Sequence, residues 1–103
     1  MNQRTDILGI LNERMTEESK WILYTLKSSP MPIAKENLWA LTNETYSKKN
    51  ESTNSEKKIL SSRYVLDLHA ARLEGAGLVD VQEIGRVRVY SVSELGKEIF
   101  NTN

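Results

Sequence analysis

The last third of this sequence carries the pattern that most restricts its fold. Apolar and polar side chains alternate over residues 79–83 and again over residues 87–90, which is the period of a strand with one buried face. Gly85 lies between these two segments, where a tight turn favours a residue without a Cβ. We therefore predict a β-hairpin with Arg86 at its tip. Alternation predicts two faces, one with Val79, Val81, Val87 and Val89, the other with Asp80, Gln82, Arg88 and Tyr90.

A short helix is expected after the hairpin, because Ser93 can act as its N-cap and residues 94–100 supply Leu95, Ile99 and Phe100 for the core. Two further helices are expected near the N-terminus. Thr5 can cap a helix that runs to Met15, and Thr16 can cap another that stops before Pro30.

Residues 31–33 suit at most a short edge strand, and a third helix is expected over residues 34–45. Residues 46–56 are polar throughout and are predicted to form a loop. A fourth helix follows, and its N-cap is left open between Thr53, Ser61 and Ser62. We expect its buried side to carry Leu66, Ala70 and Leu73, with His69 near the edge and Gly75 or Gly77 at its end.

Three segments resemble winged helix-turn-helix transcriptional regulators of the PadR, MarR and ArsR type. They are residues 22–33, residues 72–79, and residues 85–96, the last of which contains Tyr90, Ser93 and Gly96 in the spacing that leads from such a wing into the final helix. The resemblance implies an α+β fold, a winged helix-turn-helix with four to five helices and a two- or three-stranded β-wing. The length of the chain fits a single domain over residues 1–103. The resemblance, which covers roughly residues 20–100, implies that this domain binds double-stranded DNA without a cofactor.

Charge and composition argue against several classes of function. Fourteen basic and fourteen acidic residues cancel, so binding to nucleic acid by bulk charge is not expected, yet residues 46–63 hold five basic side chains and two acidic ones. There is no cysteine, no signal-like segment and no membrane span, which favours the cytoplasm. His69 is the single histidine and is expected to be a hydrogen-bonded core residue. The carboxylates are scattered, so we expect neither an enzyme nor a metal site.

The resemblance places the start of the fourth helix in the DNA major groove. Arg63 would form a bidentate contact with guanine, Ser62 would bind a phosphate, and Arg86 at the wing tip would enter the minor groove or bind a flanking phosphate. The candidate DNA-binding residues are Lys57, Lys58, Ser61, Ser62, Arg63, Tyr64, Asp67, Arg86 and Arg88.

The outer side of the same helix favours a different interpretation. The helical pattern places four residues opposite the core face: Leu60, Tyr64, Leu68 and Ala71. This outer surface is more apolar than the surface of a helix that contacts bases usually is. The open alternatives for this surface are contact with thymine methyl groups, packing under the N-terminal helix, dimerisation and binding to another protein. Packing or dimerisation is preferred, and a winged-helix interaction module remains an alternative. A plasmid-partition protein that binds a centromere is a further alternative, because its sequence would show the same features.

A homodimer is expected, since a two-fold axis would place two recognition helices on a palindromic site about one DNA turn apart. The candidate dimerisation residues lie on the first and last helices: Ile7, Leu8, Leu11, Met15, Ile99 and Phe100. The sequence identifies neither the operator nor a small-molecule effector.

Overall fold

The computed structural model describes residues 3–49 and 58–100 of the 103-residue chain. Within them, five helices and three strands follow one another in chain order: α1 (Gln3–Arg14), α2 (Glu17–Ser28), β1 (Ile33–Ala34), α3 (Lys35–Lys49), α4 (Arg63–Gly75), β2 (Val79–Ile84), β3 (Val87–Val92) and α5 (Glu94–Ile99). The expected α+β winged-helix architecture is therefore confirmed, in its variant with five helices and three strands. None of the described helices is both long enough and apolar enough to cross a bilayer.

Helix α2 forms the centre of the molecule. Its Ile22, Leu23 and Leu26 are buried, and the helix packs against α3, α4 and β3. Leu38 of α3 and Leu66 of α4 complete this core beside it. Because α3 and α4 share the same apolar support, the relative position of the two helices of the helix-turn-helix depends on α2.

A buried polar contact joins the start of α2 to α4. Thr16 is the N-cap of α2, and its hydroxyl accepts a hydrogen bond from the Ser19 N–H. The hydroxyls of Thr16 and Ser19 each lie 3.3 Å from Nδ1 of His69, which is buried. Burial lowers the pKa of His69, and the nearby Arg72 lowers it further against the opposing effect of Glu18. The expectation of a hydrogen-bonded core histidine is confirmed.

The sheet has the order β1-β3-β2 and is antiparallel throughout. Ile84 pairs with Val87, so the hairpin turn consists of Gly85 and Arg86 alone, and Gly85 has a φ of +66°. A glycine with positive φ at the first of two turn positions suits the right-handed twist of the paired strands.

This turn corrects the predicted faces of the hairpin. Residues that are paired across two antiparallel strands lie on the same face of the sheet. With a two-residue turn, Val81 pairs with Tyr90 and not with Val89. Tyr90 therefore points into the core, where it is 2% exposed, whereas Val87 lies on the outer face and is exposed. The prediction that placed Val87 and Val89 with Val79 was wrong by one residue in register.

The Tyr90, Ser93 and Gly96 spacing has a physical basis. Ser93 is the N-cap of α5, accepts a hydrogen bond from the Gly96 N–H and donates its hydroxyl to the Gly77 carbonyl at 2.6 Å. A Cβ added to Gly96 would collide with the backbone oxygen of Leu78. Tyr90 is buried in the core three residues earlier on β3, and Ser93 and Gly96 attach α5 to the sheet.

Two predicted helix boundaries differ from the structure, and a third, which the sequence left open between three residues, is resolved. α1 already includes residue 3, so Thr5 lies inside the helix and is not its cap. α3 continues to Lys49, four residues beyond the predicted end at Thr45, and those residues are helical and not loop. Of the three candidate caps for α4, Ser62 is the one used, since its hydroxyl accepts a hydrogen bond from the Val65 N–H.

Tertiary contacts explain the longer α3. Tyr46 packs edge-on against Trp21 with ring centroids 5.2 Å apart, and Lys49 lies over the ring of Tyr24. Hydrogen bonding to Lys49 lowers the pKa of Tyr24. These contacts with α2 stabilise a last turn that has no apolar periodicity of its own. Thr53 and the rest of residues 50–57 lie outside the described part of the chain.

Candidate nucleic-acid interface

The first turn of α4 is open to solvent. Ser61 and Arg63 are exposed, Ser62 is half-buried as the N-cap, and Tyr64 is 73% exposed. Serine as N-cap leaves backbone N–H groups and the positive end of the helix dipole at this surface, which suits an anion such as a phosphate. The structure thus brings four of the predicted DNA-binding residues together at one helix end.

Leu60, placed on the outer face by the helical pattern, is instead fully buried. It precedes α4 and is not part of the helix, so the 100° spacing does not apply to it. Tyr64, Leu68 and Ala71 do lie on the exposed side, as expected.

Two side chains of α3 hold the segment that leads into α4. The Asn43 amide donates to the Leu60 carbonyl at 3.1 Å, and its Oδ1 accepts from the Leu60 N–H at 2.8 Å. Trp39 Nε1 donates to the same carbonyl at 2.9 Å. Lys58 Nζ lies 5.2 Å from the Trp39 ring centroid, a cation–π geometry. We call Trp39, Asn43 and Leu60 the α3–α4 clamp.

Neither Trp39 nor Asn43 was among the predicted site residues. A buried backbone amide needs a partner, but nothing in the linear pattern indicates which side chain provides it.

Asp67, in the second turn of α4, is paired with a cation of α3. Its Oδ1 lies 2.6 Å from Nζ of Lys35, and both side chains remain partly exposed. Lys35 also was not among the predicted site residues. Lys35 and Asp67 line a depression of about 260 Å³ together with Glu36, Trp39, Arg63 and Leu66.

The wing presents a single free arginine among its described residues. Arg86 is exposed at the turn, flanked by the exposed apolar side chains of Ile84 and Val87. Arg88 instead contacts Glu74 through a 2.9 Å ion pair and lies over the Tyr90 ring. Hydrogen bonding to Glu74 raises the pKa of Arg88. Of the two predicted wing arginines, Arg88 thus already has a carboxylate partner within the protein.

The start of α3 borders both the wing and α4. Lys35 and Glu36 line the depression beside Arg63 and Asp67, and they also line a second one with Arg86, Val87 and Arg88. The pairing of β1 with β3 positions Lys35 here, because Ala34, the residue before it, pairs with Val89. The exposed start of α4 and the wing therefore adjoin the same two residues.

A sequence comparison identifies the family. The "DNA-binding protein TubR" of Bacillus cereus is 42% identical over 95 residues, which cover 89% of this chain and 78% of the relative. This chain belongs to the TubR family. No protein-family model matches it, and the specific placement among PadR, MarR and ArsR regulators is not confirmed.

A solved structure described as "Protein structure of Type III plasmid segregation TubR" shares the fold. It aligns with a TM-score of 0.61 at 17% identity, covering 99% of this chain and 84% of the other. At this identity the match shows the architecture, and it extends over the described helices and sheet of the TubR-family chain.

The predicted dimerisation residues of this TubR-family chain fall into two groups. Leu8 and Ile99 are only 3% and 2% exposed, since α1 packs on α5 within the chain. Ile7 is 56% exposed, and Leu11, Met15 and Phe100 are half-buried. Ile10, which the prediction omitted, is also exposed. An apolar strip therefore remains on α1 after Leu8 and Ile99 are used internally.

Proposed function

We propose that this chain binds double-stranded DNA at a plasmid partition site. The observation that carries the proposal is an exposed helix start beside a cationic wing tip in a chain 42% identical to a protein named DNA-binding protein TubR. The plasmid-segregation role belongs to the solved TubR by its description, and it favours a centromere-binding role over transcriptional regulation. Such a protein would act in the cytoplasm, where plasmid DNA is located.

The proposed contacts follow from exposure and charge. Ser62 and the first backbone N–H groups of α4 bind a phosphate, and Arg63 reaches a base edge in the major groove. Lys58 and Arg86 neutralise flanking phosphates. Arg88 is left out because its guanidinium is bound to Glu74. Lys57 lies outside the described residues and stays a prediction from its sequence position.

A partition site and an operator differ in arrangement, which gives the test. Duplexes selected by the full-length protein from a random pool should contain a short motif, and affinity should fall steeply with salt. On plasmid DNA, nuclease protection should extend over several tandem copies of this motif. Protection of one isolated palindrome in front of a gene would support the regulator instead, and salt-independent or absent binding would refute both.

We propose that the protein acts as a homodimer. Ile7 and Ile10 form the exposed part of the α1 strip, and burying such side chains between copies removes apolar surface from water. Ile7→Glu should lower the mass in solution to that of a monomer, whereas Glu13→Gln, at an exposed polar position of the same helix, should not. A wild-type protein that is monomeric at micromolar concentration would contradict this proposal.

A second candidate function rests on the exposed outer face of α4. Tyr64, Leu68 and Ala71 form an apolar surface that a protein partner would cover. If the chain is an interaction module, Leu68→Glu abolishes partner binding and no duplex binds in a salt-dependent way. If the DNA proposal is correct, Arg86→Ala weakens duplex binding. This result does not depend on whether Leu68→Glu changes the binding of a protein partner.

A further inference from the structure

The start of α3 carries a cation that the sequence pattern did not assign to any interface. Lys35 is the first residue of α3, and the strand pairing of β1 with β3 places it beside the wing. Its Nζ contacts Asp67 Oδ1 at 2.6 Å across the gap to α4. Lys35 also borders both depressions described above, one beside Arg63 and the other beside Arg86.

Asp67 poses an electrostatic problem for a helix that approaches DNA. It lies four residues after Arg63, one helical turn farther along α4, and its side chain is 51% exposed. A carboxylate at such a position repels phosphates and offsets part of the favourable charge of Arg63. The Lys35 ammonium group is the cation that cancels it in the described structure.

We propose that Lys35 is a DNA-binding determinant that acts by neutralising Asp67 at the junction of α4 and the wing. This inference rests on the proposed DNA-binding function. It predicts that the loss of Lys35 is damaging because it exposes the Asp67 charge, so removing that charge as well restores binding. Both partners are partly exposed, so their ion pair contributes little to folding and the variants remain folded.

The test is a double-mutant cycle measured on a duplex selected from a random pool by the wild-type full-length protein. Lys35→Met should weaken binding about tenfold, as expected for an uncompensated charge at an interface, and Lys35→Met with Asp67→Asn should recover most of that loss. Asp67→Asn alone should bind more tightly than wild type, because it frees the Lys35 ammonium group of its carboxylate partner, and its base preference should be unchanged. Thermal unfolding of each variant checks that the fold is kept.

Two controls separate this inference from the function on which it rests. Lys97→Met removes another lysine of an exposed ion pair, with Glu94 on α5, and should leave duplex affinity unchanged. Arg86→Ala should weaken binding in every background.

If Arg86→Ala weakens binding but Lys35→Met does not, or if the double variant binds no better than Lys35→Met, the role of Lys35 is refuted while the proposed function stands. A change of base preference in Asp67→Asn would also refute it, because Asp67 would then contact a base. Wild-type protein that binds no duplex refutes the proposed function itself.

Discussion

Position 96 requires glycine because atoms of the sheet lie where a Cβ would be, and not because of its backbone conformation. Its N–H is part of the Ser93 cap, and the space for its Cβ is already filled by the Leu78 carbonyl and the Val92 side chain. The helix itself would accept any residue there, since a positive φ is not involved. The requirement therefore arises only from how α5 packs on the sheet.

We predict that Gly96→Ala lowers the free energy of unfolding. Alanine gains helix propensity, but the collision with Leu78 forces α5 away from the sheet, and such overpacking typically costs about 1–3 kcal/mol. Urea unfolding monitored by circular dichroism measures the change. Gly9→Ala is the matched control, because a Cβ at Gly9 in α1 meets nothing within 4 Å. Gly9→Ala should be neutral or stabilising, and equal effects of the two substitutions would contradict the packing argument.

His69 makes stability depend on pH. Its pKa in the folded protein is lowered by burial, so between the ordinary pKa of about 6.5 and the folded value the unfolded chain binds a proton that the folded chain does not. We predict that the His69 contribution is fully present above the ordinary pKa and is lost as the pH falls toward the folded pKa.

The measurement compares urea unfolding at pH 8 and at pH 5.5 for wild type and His69→Gln. His69→Gln leaves every other side chain unchanged, so the difference between the two proteins isolates the histidine. Wild type should lose more stability between the two pH values than His69→Gln. The same loss in both proteins would show that His69 does not resist protonation.

Arg63 and Arg86 differ in what their loss should do to DNA binding. Arg63 lies in the first turn of α4, where a base edge is within reach, so Arg63→Ala should relax sequence preference at one position by about 1–3 kcal/mol. Arg86 lies at the wing tip, so Arg86→Ala should weaken all duplexes alike and reduce the salt slope by about one. Fluorescence anisotropy on selected and scrambled duplexes at several salt concentrations distinguishes the two effects. Lys97→Met again provides a control, and identical behaviour of the two arginine variants would contradict the assigned roles.

At the scale of elements, the start of α4 is determined by α3. The α3–α4 clamp pairs both backbone groups of Leu60 with side chains of α3, and the Ser62 cap follows two residues later. A recognition helix needs a defined start, because its first turn carries the groups proposed to reach DNA. α3 therefore has a role beyond packing.

We predict that Asn43→Ala lowers stability by about 1–3 kcal/mol, because the Leu60 N–H loses its partner in a partly buried site. The position of Ser62 and Arg63 then becomes less defined, so affinity for the selected duplex should fall more than affinity for a scrambled one. Unfolding and anisotropy measurements test both effects. Asn37→Ala, at an exposed position of the same helix, is the control. Equal effects of the two substitutions would show that the clamp does not position α4.

At the scale of the whole molecule, tertiary contacts bring segments that are far apart in sequence into one region. β1 and the start of α3 precede the wing by some fifty residues, yet the β1–β3 pairing sets Lys35 beside both the wing and α4. α1 and α5 pack together at the two ends of the described chain and withdraw Leu8 and Ile99 from any partner. The surface available to DNA or to a second copy is what these long-range contacts leave exposed.

The sequence by itself determined the order of the elements, the position of the hairpin bend near Gly85 and the cap at Ser93, because these depend on neighbouring residues. It also included Ser62 among three candidate caps for α4. The tertiary structure alone decided which face of β3 is buried, where α3 ends, that Leu60 is internal and that Arg88 and Asp67 have ionic partners. Each of these outcomes depends on a contact between residues far apart in sequence, such as Lys35 with Asp67 or Asn43 with Leu60. Local periodicity describes how a segment divides into faces, but which groups meet across two segments is settled only when they pack.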